Sequence, residues 1–109
     1  MSDTRITRVM EAVRSEVDRT KILKTACAVY PKWIHRATLH RVLKHEQRDL
    51  TYRELDLHVH YLEEKQLLKI ETINSEEPVR WRIRITAKGI DFLEGRFEEP
   101  GLASPDTDG

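Results

Sequence analysis

The chain has 109 residues, room for one domain and a single core; 39% are hydrophobic and 35% charged, the balance of a globular protein rather than a bilayer-spanning or disordered one. No run approaches the roughly 18 apolar residues that cross a membrane, the opening MSDTRITRV has no apolar signal core, and the lone Cys27 leaves no intrachain disulfide, so a cytoplasmic protein is expected. The formal charge of zero is uneven: residues 1–60 carry 12 basic and 8 acidic side chains and residues 61–109 carry 7 and 11, which permits an anionic partner without demanding one.

In chain order, Ile6, Val9, Met10, Val13 and Val17 recur at spacings of three and four, an amphipathic helix. From Ile22 the apolar set shifts to Ile22, Leu23, Ala26, Cys27, Val29 and Tyr30, a stripe rotated by about 140° from the first. Either one long helix shows two faces, or the chain breaks and Ser15 caps a second helix in the S-x-x-D manner. Pro31 ends the helical run, because the residue before a proline is pushed out of the α region.

Trp33-Ile34-His35 reads as a short extended piece, and residues 37–45 as a helix with Leu39, Val42 and Leu43 inward. Thr51-Tyr52-Arg53-Glu54 is a T-x-x-E capping box, with Leu50 and Leu55 placed as a hydrophobic staple. The helix it starts runs to about Gln66 and buries Leu55, Val59 and Leu62. Two strands follow, 67–73 and 79–86. In the second, Val79, Trp81, Ile83 and Ile85 alternate with Arg80, Arg82 and Arg84, giving one packed face and one basic face. Thr86 caps a short last helix that stops at Gly95. Residues 98–109, rich in Pro, Gly, Ser and Asp, read as a disordered acidic tail.

The stretch LTYRELDLHVHYLEEKQLLKIET resembles the recognition helix and first wing strand of winged helix-turn-helix regulators, and RWRIRITAKGIDFLEG resembles their second wing strand and closing helix. The likeness spans roughly residues 15–95, and the Ala-Val-Tyr-Pro and Gly-Ile-Asp-Phe-Leu-Glu segments are similar to small winged-helix proteins of Mu-like prophages. Gln66 departs from that pattern, standing where the group has glycine. The resemblance implies an α+β winged helix-turn-helix fold: a three-helix core, a two-stranded wing and a short C-terminal helix, over residues 15–97, with an extra helical segment at 1–14.

It also implies double-stranded DNA as partner and a role in transcription regulation. Arg53, Leu57 and His60 would enter the major groove, Tyr52 and the helix N-terminus would approach phosphate, and Arg80, Arg82 and Arg84 would follow the backbone beside the minor groove. Asp56 and Glu64 share that helix face and repel phosphate, and the arginines have Glu71, Glu76 and Glu77 within reach as alternative partners. A protein-interaction module using Leu57 and the N-terminal stripe is the alternative, and a homodimer through the N-terminal helix suits both readings. The bland outcome for that stripe is packing on its own domain.

No cofactor, metal or catalytic step is expected. His35, His40 and His45 are spaced so that helical neighbours point about 140° apart, and His58 and His60 diverge by about 200°. Cys27 belongs to an apolar stripe, and neither a phosphate loop nor a nucleophile elbow is present.

Overall fold

A computed structural model describes residues 2–74 and 80–106. The order is α1 (Ser2–Ala28), β1 (Ile34–His35), α2 (Arg36–His45), α3 (Tyr52–Glu64), β2 (Leu68–Asn74), β3 (Arg80–Ile85) and α4 (Ala87–Leu93). The protein is thus α+β, with four helices and a three-stranded antiparallel sheet in the order β1-β3-β2. The extended Ile34-His35 pair is the third strand, set by the register Ile34↔Ile83 and His35↔Arg82. The ribbon itself is held by Leu68↔Ile85, Ile70↔Ile83 and Thr72↔Trp81, with an irregularity between Thr72 and Asn74.

α1 is one unbroken helix of 27 residues. Ser15 lies inside it, so the alternative of a second helix capped there is set aside. The two apolar faces exist because the two halves meet different surroundings. From Asp18 onward α1 runs through the body and touches α2, α3, α4 and β3, burying Ile22, Leu23 and Ala26. Residues 4–14 are exposed throughout and meet the body only at their foot, where Arg14 donates to Asp49 O. The expectation that the N-terminal stripe packs on its own domain is therefore wrong: Ile6, Val9, Met10 and Val13 face solvent. Val29 and Tyr30 also lie outside the core, and the helix has ended before the cis Tyr30–Pro31 peptide.

Around the inner half of α1 pack Leu39 and Leu43 of α2, Leu55, Val59 and Leu62 of α3, Ile83 and Ile85 of β3, and Phe92 of α4, all nearly free of solvent contact. Each such side chain contributes about 1.5–3 kcal/mol through burial. Cys27 packs half-buried against this cluster. The capping box forms as the sequence predicts: Glu54 N–H donates to Thr51 Oγ1 and Thr51 N–H to Glu54 Oε1, each at 3.0 Å. The missing glycine after α3 is replaced by strain, since Gln66 itself takes the left-handed conformation at φ 66°. Thr86 then joins the two ends of the ribbon: its hydroxyl donates to Gln66 O (2.7 Å) and accepts from Gly89 N–H (3.1 Å), while its N–H reaches Leu67 O. Gly89 has no room for a side chain there, as a Cβ would stand 2.5 Å from that same carbonyl.

The tail is a second correction. Residues 99–103 lie against α1 and α3 instead of being disordered, and 107–109 lie outside the described residues. Leu102 is buried, Ala103 N–H donates to Glu16 O, Thr20 Oγ1 donates to Ala103 O at 2.7 Å, and Arg19 donates to Gly101 O at 3.0 Å. Lys65 pairs with Glu99 at 2.7 Å. A polar, Gly- and Pro-rich composition describes what the segment can bury by itself, and here the partners are backbone and hydroxyl groups of a helix far back in the chain.

Candidate nucleic-acid interface

The residues singled out on α3 fall into two rows. Arg53, Leu57, His60 and Glu64, at spacings of four, three and four, form an exposed row with Leu57 58% accessible. Tyr52 and Asp56 form an adjacent row that faces α2 and β3, and it is the better built of the two. Arg36 of α2 holds Asp56 through two parallel bonds of 2.9 Å, Nε to Oδ1 and Nη2 to Oδ2. Trp81 Nε1 donates to the same Oδ1 at 2.9 Å. His40, one turn after Arg36, stacks on Tyr52 at 4.0 Å between ring centroids, and the Arg36 guanidinium lies 4.3 Å from the same ring centre. His40 Nε2 also meets Leu50 O at 2.7 Å.

This layer changes the electrostatics of α3. The hydrogen bonds that Arg36 donates to Asp56 push the Arg36 pKa above its ordinary value, partly opposed by burial. A bidentate pair of this kind is compensated within the protein, so Asp56 is withdrawn from the exposed row as an opposing charge. Glu64 remains on it. The α3 N-terminus changes in the other sense. Glu54 caps it, and the Thr51 backbone N–H followed by the Thr51 hydroxyl hold its pKa below the usual carboxylate range. A carboxylate thus stands where phosphate contact was expected.

The three β3 arginines do not share one surroundings. Arg82 and Arg84 alternate with the buried Trp81, Ile83 and Ile85, so they stand on the sheet face away from the core. There both guanidiniums lie over the Trp33 ring, at 4.9 and 5.1 Å from its centre, and Arg82 is paired with Glu71 through Nε at 3.0 Å. Arg80 is exposed at the outer end of β3 and borders a cleft of about 430 Å³ shared with Arg36, Tyr52, Ile73 and Trp81. The start of α2 opens onto this cleft, with His35 at its N-cap making no side-chain cap and no acid in its first turn. Val79, Glu76 and Glu77 lie outside the described residues.

Arg36, His40, Trp33 and Trp81 had no place in the site expected from the sequence. The i, i+4 spacing of Arg36 and His40 was a usable signal for a shared face, and the Trp81 indole needed a polar partner once its strand position made it inward. Among the described residues, no three His, Cys, Asp or Glu side chains are placed to hold a metal ion, and no helix is long and apolar enough to cross a membrane. Comparison of the chain with family models, curated proteins and solved structures finds no match.

Proposed function

We propose that the protein is a small winged helix-turn-helix regulator that binds double-stranded DNA in the cytoplasm and performs no catalysis. The observation that carries this reading is the exposed α3 row, on which Arg53, Leu57 and His60 stand free of the Asp56 carboxylate that Arg36 and Trp81 hold back. In a major groove, Arg53 and His60 donate to base edges or phosphates and Leu57 meets a thymine methyl. The ribbon beside α3 has the length and antiparallel pairing of a wing. Arg80, at its outer end and next to the open start of α2, is the arginine best placed for phosphate on the same side as α3.

The test is titration of mixed duplex DNA at two salt concentrations. Binding at micromolar or tighter affinity that weakens steeply with salt is expected. Arg53→Ala and Arg80→Ala should each weaken binding and shallow the salt slope by about one phosphate contact. Arg82→Ala should do less, because its guanidinium is already matched by Glu71. A second reading has its own observation. Leu57 is 58% exposed at the middle of the same row, and Glu64 closes that row. Absence of DNA binding at low salt overturns the groove reading and favours a protein partner docking on Leu57.

A further inference from the structure

The first turns of α1 project from the body as a bare arm. Every residue from 4 to 14 is exposed, yet Ile6, Val9, Met10 and Val13 are 55%, 58%, 66% and 52% accessible on a single stripe. Their i, i+3, i+4, i+7 spacing is the seam of a helix that packs against another helix. At the foot of the arm this stripe runs into a hollow of about 580 Å³ formed by Met10, Val13 and Val17 with the 47–49 connection, on the side where Arg14 donates to Asp49 O.

We propose that the stripe pairs with the same stripe of a second copy of the chain, antiparallel, about a two-fold axis beside residues 10 and 11. In that alignment each residue lies level with the partner residue whose number completes 21. Ile6 of one copy then enters between Val13 and Val17 of the other, at the edge of the hollow, and the two Val9–Met10 pairs meet at the axis. Arg5 falls level with Glu16 of the second copy. On an α-helix these positions are about 20° apart around the axis, so both stand on the same flank of the stripe, and antiparallel pairing faces like flanks. The two-fold repeats that ion pair on the other side of the axis. The body begins where the arm ends, so the two bodies lie at opposite ends of the pair. Covering the four side chains in both copies removes on the order of 800 Å² of surface, below the roughly 1,200–2,000 Å² of stable interfaces, so a weak dimer is expected.

This pairing does not depend on DNA binding, and its test contains none. Sedimentation of the full chain should give a dimer that dissociates in the micromolar range. Met10→Asp should be monomeric with nearly the same far-UV circular dichroism and unfolding midpoint, since the side chain is 66% exposed and outside the core. Arg5→Glu should weaken the dimer by about 3- to 10-fold, and adding Glu16→Arg should restore it. A spin label at Thr4→Cys, with Cys27 replaced by Ala, should report about 20 Å or more between copies; a parallel pair gives about 10 Å. A monomer at millimolar concentration, a dimer that survives Met10→Asp, or the short distance overturns the proposal.

Discussion

Two aspartates hold α3 in place, and they do so in opposite environments. Asp56 sits at the surface edge of its layer, its side chain 30% exposed, with every partner arriving from another element. Asp18, in the middle of α1, is 2% exposed and bonded by Arg48 Nε at 2.6 Å, with Arg14 and His58 each 4.0 Å away. His58 in turn accepts from Arg19 Nε at 3.3 Å, and Arg19 lies over Tyr61 and donates to the tail at Gly101. The surface pair fixes which way α3 faces, and the buried one ties α1, α3, the 47–49 connection and the tail into one unit. A buried ion pair adds little over an apolar replacement, but removing one partner leaves an uncompensated charge; the difference between the two sites should therefore show in single substitutions.

The largest effect is expected at Asp18. Asp18→Ala removes the 2% exposed carboxylate to which Arg48 Nε donates and should cost about 3–5 kcal/mol in urea unfolding. Asp56→Ala should cost less, about 1–3 kcal/mol, because the Asp56 side chain is 30% exposed and water can take its place, and it should alter Trp81 fluorescence in the folded protein. Equal losses at the two sites would break the comparison.

Stability also depends on pH through His58. Burial, followed by the charge of Arg19, lowers the pKa of His58, against a smaller upward pull from Asp18. The geometry fits a neutral ring whose Nδ1 is the acceptor and whose Nε2–H points to Asp18. A histidine with a depressed folded pKa binds its proton more readily in the unfolded chain. Its contribution is thus fully present above the unfolded value near 6.5 and is lost as pH falls through the window down to the folded value. Unfolding followed between pH 8 and 5 should show stability falling below about pH 6.5 by no more than about 1.4 kcal/mol per pH unit from this group, and His58→Gln should flatten that part. The smallest effect has the opposite sign: Gln66→Gly relieves the left-handed residue after α3 and should raise stability by about 0.5–1 kcal/mol, leaving both aspartate sites untouched.

What was legible in the sequence was what neighbours in sequence decide. The Thr51 box needs only Glu54, the Thr86 cap only Gly89, and the alternation of 80–85 follows from the pleat alone. The parts misread depend on partners far along the chain. Asp56 reads as a free charge until Arg36 and Trp81, 20 and 25 residues away, are brought to it. The tail reads as disordered because Thr20 and Arg19 lie more than 80 residues back. The continuity of α1 was hidden for a related reason. A rotated apolar stripe marks a change of neighbour as readily as a break in the helix, and periodicity alone does not distinguish the two.

The two tryptophans also give the molecule an unlabelled pair of optical channels. Trp81 is 5% exposed with its indole N–H on Asp56, whereas Trp33 is partly open on the far side of the sheet beneath two guanidiniums. An aqueous quencher should reach Trp33 first and leave Trp81 bright, so a ligand settling on the sheet would protect one emission and a ligand seated along α3 would perturb the other. With Trp33→Phe and Trp81→Phe as single-channel references, the side of the protein that any partner occupies can be read before the partner itself is known.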